Sequence, residues 1–226
     1  MRIYRIPVQS RPFLSGDNVA STGTGWAPPA AFTGLRETLR VHEHCREHAV
    51  LLATFTPVGA AAFLRPSLEE FSGTTTDLAG VLGRQEELGW LSEQLAGAQN
   101  HGRRIKLLED FLLARVRVSA PDRLMAAAVA WLEQQTRAKR IDDLTRYIGL
   151  SQSALERRFR RVVGVSPKKF ASLVRLRRAV QMRATGTDFT AAAYAAGYFD
   201  QSHFINDFRR ATGRSPDAFF RQAAAE

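Results

Sequence analysis

Two stretches of the chain carry the side-chain types that hydrogen-bond to the edges of DNA bases. Arginine pairs with guanine, glutamine and asparagine pair with adenine, glutamate accepts from cytosine, and an apolar side chain such as Ile205 contacts a thymine methyl group. The predicted base-contacting residues are Gln152, Ser153, Glu156 and Arg157 in the first stretch, and Gln201, Ser202 and Asn206 in the second. Any one position, taken alone, fits an ordinary solvated helix face better, whereas the two matched sets together favour base contacts.

Four arginines follow these residues in matching positions. Arg160 and Arg161 come after the first set, and Arg209 and Arg210 come after the second. Because they flank the base-contacting residues, we expect them to bind phosphates, which position a protein on DNA without specifying the sequence.

Each set of base-contacting residues directly precedes one copy of a repeated segment that must position it. The segment Phe159-Arg-Arg-Val-Val-Gly-Val-Ser-Pro167 recurs as Phe208-Arg-Arg-Ala-Thr-Gly-Arg-Ser-Pro216, at an offset of 49 residues (208 − 159). In each copy the phenylalanine predicts a buried helix anchor, and the glycine predicts a left-handed helix end. Ser-Pro then predicts the cap and first residue of the next helix. The repeat therefore predicts two helical units of the same construction.

The basic residues concentrate around this repeat. Residues 122–226 contain 19 of the 32 Lys and Arg and 10 of the 22 Asp and Glu, so they carry +9 of the total charge of +10. A basic half beside a nearly neutral half is typical of a nucleic-acid-binding domain joined to a second domain. Composition alone fits a generic basic surface equally well.

A separate cluster indicates different chemistry. Residues 42–48 read His-Glu-His-Cys-Arg-Glu-His, and His44 to His48 match the H-x-x-E-H pattern of zinc hydrolases, in which Glu47 would act as base. The flanking residues predict strands around a turn, which is a poor setting for that helical motif. The other interpretations are a metal-sensing site or polar residues at a hairpin tip. The candidate metal ligands are His42, His44, Cys45 and His48.

Cys45 is the single cysteine, which excludes an intramolecular disulfide and indicates a reducing, cytoplasmic environment. Cys45 fits an ordinary reduced thiol, with a thiol-reactive sensor as the alternative. An alkyl-accepting cysteine would need an activating context that the neighbouring sequence does not show. No apolar run is long enough to span a membrane, and the N-terminus lacks the apolar core of a signal peptide.

The hydrophobic periodicity predicts an α+β chain with a small β/α domain at 1–118 and an all-α domain at 119–226, divided near Ser119-Ala-Pro121. In the first domain, residues 2–8 and 49–55 predict strands, the second of them buried, and residues 57–64, 88–95 and 100–116 predict helices. In the second domain, two helix-turn-helix units are predicted at about 141–164 and 188–213, joined by a long helix over 166–183. The predicted helix caps are Asn100 in the first domain and Asp142, Ser151, Ser166, Asp188 and Asp200 in the second.

The second domain resembles the DNA-binding domain of the AraC/XylS family of bacterial transcription regulators, over about residues 122–221. The resemblance is carried by Gly149-Leu-Ser151, by the two repeat segments, by Arg175-Leu-Arg-Arg-Ala179 and by Gly197-Tyr-Phe-Asp-Gln-Ser-His-Phe204. It implies two helix-turn-helix units on a rigid linker helix, which read adjacent major-groove segments about 34 Å apart. It also assigns the base contacts named above by position.

Two residues depart from the family pattern. Thr145 stands where the family often has alanine, and Asn206 stands where many members have arginine. The second departure implies that the second unit contributes less affinity or prefers a different base.

The first domain resembles, over residues 55–63 and 107–113, the cupin-like sensor domain of one branch of these regulators, without the first strands of the barrel. We therefore predict a cytoplasmic bacterial transcription regulator without enzymatic activity or cofactor. Its expected partners are promoter or operator double-stranded DNA, a small-molecule effector and, for an activator, RNA polymerase, and it acts as a monomer or homodimer. The alternative is a metal-binding sensor or a zinc-dependent hydrolase built on residues 42–48.

Overall fold

The structure is a computed structural model, which describes residues 2–5, 28, 30–38, 51–116, 122–134 and 140–225. The His42–His48 cluster and the predicted boundary at 119–121 lie outside these ranges. The elements in chain order are β1 (Arg2–Arg5), β2 (Ala31–Thr33), β3 (Leu51–Thr54), 3₁₀ helices at Ala60–Ala62 and Leu68–Phe71, β4 (Thr75–Asp77), α1 (Leu78–Leu82), α2 (Gln85–Gly97), α3 (His101–Leu113), α4 (Arg123–Gln134), α5 (Ile141–Ile148), α6 (Gln152–Val163), α7 (Pro167–Ala184), α8 (Phe189–Ala196), α9 (Gln201–Thr212) and α10 (Pro216–Ala225). The predicted α+β class is confirmed. Within the described ranges, no helix has both the length and the apolar character that crossing a bilayer requires.

The strands of the N-terminal half form two small antiparallel sheets. β1 pairs with β3, with Arg2 opposite Thr54, and β2 pairs with β4. Residues of β3 alternate between half-buried and exposed, and Leu52 is 43% exposed, so the prediction of a buried strand is wrong for residues 51–54. A two-stranded sheet with one solvated face produces this alternation. The cupin-like barrel remains a prediction.

The helices of the N-terminal half enclose their own core. The predicted helix at 57–64 is reduced to the 3₁₀ turn Ala60–Ala62. The helices predicted at 88–95 and 100–116 are confirmed as α2, which is longer at both ends, and α3, which ends at Leu113. Asn100 caps α3 as expected, because its Oδ1 accepts a hydrogen bond of 2.9 Å from the Arg103 backbone N–H. The buried side chains of this core include Phe63, Leu64, Phe71, Leu91 and Phe111.

The first helix-turn-helix unit, α5 and α6, shares a core with α4 and the start of α7. Its centre is formed by fully buried Met125, Leu144, Leu155 and Phe159, and the Phe159 ring lies 5.7 Å from that of Phe170.

The cap of α5 differs from the prediction. Arg140, not Asp142, is the N-cap residue. The backbone N–H of Arg140 donates a hydrogen bond of 3.3 Å to the Asp143 carboxylate. Asp142 therefore lies inside the first turn, where its negative charge interacts favourably with the positive end of the helix dipole.

The second unit, α8 and α9, is joined to the first by the 18-residue helix α7. Ser166 caps α7 and Pro167 is its first residue, as the repeat predicts. Small residues allow α7 and α8 to approach closely, since Ala179, Ala192, Ala193 and Ala196 are all buried. Aromatic rings fill the rest of this core: Phe189, Phe204, Phe208, Phe219 and Phe220.

The N-terminal half packs directly against the first unit. Leu35, Val58 and Ala61 contact the core of that unit, and the 3₁₀ helix Leu68–Phe71 lies against the end of α6. Gly164 ends α6 with φ +96°, and a Cβ at this position would lie 3.0 Å from the Leu68 carbonyl oxygen. Glycine is therefore required here both by the helix end and by the close approach.

Candidate nucleic-acid interface

Burial orients α6 so that its predicted base-contacting side faces outward. Leu155, Phe159, Val162 and Val163 are buried on one side. On the other side, the exposed residues are Gln152, Ser153, Arg157 and Arg161, and the half-buried residues are Glu156 and Arg160. The structure thus places the residues predicted from the first stretch on one accessible face.

Arg157 is one of the side chains on this face that make no polar contact with the described residues. The Gln152 amide Nε2 donates a hydrogen bond of 3.0 Å to Glu156 Oε1, which fixes both side chains on adjacent turns. No hydrogen bond or ion pair joins the Arg157 guanidinium to any described residue. As far as the described residues are concerned, the five N–H donors of Arg157 are therefore available to an acceptor outside the protein.

Arg160 and Lys169, near the end of this unit, are paired with the N-terminal half. Arg160 Nη1 lies 3.2 Å from Glu69 Oε1, which belongs to the 3₁₀ helix packed against α6. Lys169, in the first turn of α7, forms an ion pair with Glu37. Arg160, a predicted phosphate contact, is thus held by a carboxylate that a phosphate would have to replace.

Behind the outward face, a salt bridge fastens α6 to α4. The Arg158 guanidinium donates to both carboxylate oxygens of Asp122, at 2.6 and 3.0 Å, and Asp122 also caps α4 through the Met125 N–H. Bidentate geometry of this kind fixes orientation as well as distance. Sequence analysis missed this bridge because the two residues are 36 positions apart.

α9, which carries the second set of predicted base contacts, has the same orientation. Phe204 and Phe208 are fully buried, and Gln201, Ser202 and Asn206 are exposed on the opposite side. Ile205 packs partly against the aromatic core, so only part of its side chain faces outward. Of the two terminal cations, Arg209 is exposed without an ion pair to any described residue, and Arg210 pairs with Asp207 at 3.3 Å.

Asp207 also joins α9 to the linker helix. The Ser172 hydroxyl of α7 donates a 3.2 Å hydrogen bond to the Asp207 carboxylate. Burial raises the pKa of the neighbouring Tyr198 hydroxyl, and the Asp207 charge raises it further, so this tyrosine is neutral at physiological pH. Asp207 occupies the repeat position of Arg158 (207 − 158 = 49). The same position of each unit therefore fastens its helix to a neighbouring element, through a cation in the first unit and a carboxylate in the second.

Thr145, the departure in α5, fits its position without an unpaired polar group. Its hydroxyl donates a 2.8 Å hydrogen bond to the Asp142 carbonyl one turn earlier. Such back-bonding satisfies a hydroxyl in a helix where the family often has a methyl group.

The predicted metal ligands His42, His44, Cys45 and His48 lie outside the described residues and remain predictions. Among the described residues, no group of three or more His, Cys, Asp or Glu side chains comes together. An open groove of about 730 Å³ lies between α2 and α3, where the Arg115 guanidinium stacks 3.6 Å from the Phe111 ring centroid and pairs with Glu87. Burial lowers the pKa of Arg115. Arg115 is the most buried cation that lines the groove, and its charge is already neutralised by Glu87.

Residues 144–222, which run from within α5 to within α10, match a family model described as a helix-turn-helix domain. They are an AraC-type helix-turn-helix domain. This AraC-type domain contains every predicted base contact and all four predicted phosphate contacts. Comparison with curated proteins gave no match.

Solved structures similar to the chain include AraC-type proteins. A probable AraC family transcriptional regulator from Rhodopseudomonas palustris is 31% identical, over 45% of this chain and 98% of its own, with a TM-score of 0.40. The DNA-binding domain of AdpA, a global transcriptional factor crystallised with a target DNA, is 25% identical over 45% of this chain and 93% of its own, with a TM-score of 0.43. ToxT from Vibrio cholerae is 18% identical over 59% of this chain and 56% of its own, with a TM-score of 0.41.

Proposed function

We propose that this protein is a transcription regulator that binds specific double-stranded DNA through α6 and α9 together. The observation that carries the proposal is the repeated construction of these helices. Each has a cap, two buried anchors four residues apart, and an opposite face of exposed side chains that recognise base edges. The net charge of +9 on residues 122–226 supplies the sequence-independent attraction to phosphates.

The two helices have separate tasks in this proposal. Arg157, Gln152, Ser153 and Glu156 read the first block of bases, and Gln201, Ser202 and Asn206 read the second. Arg161 and Arg209 bind phosphates, and Arg160 and Arg210 do so after separating from Glu69 and Asp207. Because α7 connects the units rigidly, the two blocks lie about one turn of the duplex apart.

We further propose that residues 1–118 form the regulatory part of the protein, as a sensor or dimerisation domain. The direct packing of the 3₁₀ helix Leu68–Phe71 on α6 supports this division of labour, because a rearrangement there moves Glu69 relative to Arg160. No catalytic step is part of the proposal.

The test is a selection from random double-stranded oligonucleotides with the full chain, repeated at about 50 and about 200 mM salt. We expect one enriched motif with two short blocks whose centres lie about 10 base pairs apart. The matched control is Arg177→Ala, which removes a positive charge from an exposed position of α7 whose side chain lies 3.4 Å from Glu133, outside both reading faces.

The control variant should select the same motif with slightly weaker binding. Absence of any enriched motif, with binding that disappears evenly as salt rises, would contradict sequence-specific recognition. The basic half would then bind nucleic acid by charge alone.

A further inference from the structure

Phe199 is the most exposed of the large hydrophobic side chains in the described part of the chain, at 87%. It lies in the turn between α8 and α9, directly before the N-cap of the second recognition helix. Single exposed apolar residues are common on protein surfaces, so exposure alone carries no meaning. Its position in the turn is more informative.

The turn of the second unit is one residue longer than that of the first. Gly149 and Gly197 end the first helix of each unit, 48 residues apart, whereas α6 and α9 begin at Gln152 and Gln201, 49 residues apart. In the first unit, one residue separates the glycine from the N-cap. In the second, Tyr198 and Phe199 occupy that interval before Asp200.

The residues on both sides of Phe199 are fixed. Tyr198 is 3% exposed, with its ring 5.4 Å from that of Phe204 and 5.2 Å from that of His203. Its backbone N–H donates to the Ala193 carbonyl at 3.0 Å, and Asp200 caps α9 by accepting from the His203 N–H at 2.7 Å. The exposure of Phe199 is therefore imposed by a well-anchored turn.

We infer that the Phe199 ring contacts apolar surface of the DNA, a thymine methyl group or the face of a deoxyribose, beside the bases read by Gln201 and Ser202. The inference rests on the proposed function. The N-terminal residues of a recognition helix are those that approach base edges, and Phe199 immediately precedes them. Apolar side chains recognise the thymine methyl group in the major groove.

The contact also balances a difference between the units. Asn206 occupies the repeat position of Arg157 (206 − 157 = 49), so the second unit has a shorter, uncharged reader there. An aromatic ring at the other end of the same face gives α9 a contact that the shorter turn of the first unit does not provide.

The test starts from the motif selected by the wild-type full chain. Phe199→Ala should weaken binding to that motif by about fivefold or more, which is the scale of losing one aromatic contact with DNA. The slope of affinity against salt should not change, because no phosphate charge is lost. The control is Trp90→Ala, which removes another exposed aromatic side chain, 58% exposed on α2, from the N-terminal half. It should bind with wild-type affinity.

Replacing each thymine of the motif with deoxyuridine separates the two sources of apolar contact. If the ring contacts a methyl group, one replacement weakens wild-type binding and leaves the Phe199→Ala variant unaffected. If the ring packs on a deoxyribose, no single replacement has this pattern, and the loss caused by Phe199→Ala persists. Melting temperatures of both variants within about 1 °C of wild type would establish that neither change acts through folding.

Two results would overturn the inference while leaving the proposed function intact. One is a selected motif that Phe199→Ala binds with affinity within twofold of wild type. The other is unchanged DNA binding with lost transcriptional activity, which would place a protein partner against the ring. A wild-type chain that selects no motif would instead remove the proposed function, and the inference with it.

Discussion

The two helix-turn-helix units have the same frame but differ in what holds them. Both end their recognition helix at a glycine in the left-handed conformation, both bury a pair of anchors four residues apart, and both open the next helix with Ser-Pro. The first unit is braced from outside: its core accepts Leu35, Val58 and Ala61, and its Arg160 is paired with Glu69. The second is braced from within, by a cluster of phenylalanines and by Asp207.

In our proposal, this difference gives the two units separate tasks. A change in the N-terminal half reaches the first unit through packed side chains and ion pairs, whereas the contacts described for α9 come from α7, α8 and α10. Regulation therefore acts on DNA binding by the first unit, while DNA binding by the second unit stays unchanged.

The largest expected effect is the loss of either anchor. Phe159→Ala and Phe208→Ala should each lower the free energy of unfolding by about 3–5 kcal/mol, because each leaves a cavity in a fully buried position. Chemical denaturation of the full chain measures both. Phe199→Ala is the matched control, since its ring is exposed, and should change stability by less than about 0.5 kcal/mol. Equal stability of wild type and Phe159→Ala would mean that the repeated phenylalanine is not an anchor.

The next effect concerns base recognition. Arg157→Ala should weaken binding to the selected motif by about 1–3 kcal/mol and relax preference within the first block only. Asn206→Ala should do the same within the second block, with the smaller loss expected of a neutral reader. Competition binding against single-base variants of the motif measures both. Relaxed preference in the same block for both variants would contradict one block per unit.

Much of this frame could be predicted from the sequence because its signals are local. A serine or aspartate cap, a glycine stop and a proline at the first position act within one turn, so the bounds of α6 to α9 follow from residue types. The caps Ser151, Ser166, Asp188 and Asp200 are all confirmed. The prediction that Asp142 is the cap was wrong because α5 begins earlier, at Ile141, with Arg140 as the N-cap. The carboxylate that accepts from the Arg140 N–H is that of Asp143, and side-chain type alone does not decide between two adjacent acidic residues.

The contacts that distinguish the units could not be predicted in this way. Glu69 and Arg160 are 91 residues apart, and Asp122 and Arg158 are 36 apart, so no periodicity relates them. Phe199 did leave a signal, the change of offset from 48 to 49 across the second turn. That signal appears only when the units are aligned at both the glycine and the helix start.

A smaller stability effect tests the external bracing of the first unit. Gly164→Ala should cost about 1–3 kcal/mol, since alanine disfavours φ +96° and its methyl group would meet the Leu68 carbonyl at 3.0 Å. Gly149→Ala is the matched control, with φ +73° and open space around it, and should cost only about 1 kcal/mol. Equal losses for the two variants would mean that the N-terminal half does not pack against α6 in solution.

The smallest effect is electrostatic. Glu69→Ala should strengthen DNA binding by up to about fivefold at low salt, because an exposed ion pair of about 0.2–1 kcal/mol no longer competes for Arg160. The gain should shrink as salt rises. Glu93→Ala, which removes an exposed carboxylate from α2, is the control for net charge. An equal gain in both variants would assign the effect to overall charge.

The 18 residues of α7 have a consequence for how such a protein can change over time. At about 1.5 Å and 100° per residue, the helix is about 27 Å long and determines both the separation and the angular phase of the two units. One inserted residue would move α9 only slightly but would rotate it by more than a quarter turn away from the groove. In the proposed mode of DNA binding, substitutions on the outward faces of α6 and α9 would therefore change the recognised bases one at a time, whereas a change in the length of α7 would abolish simultaneous recognition of both blocks in a single step.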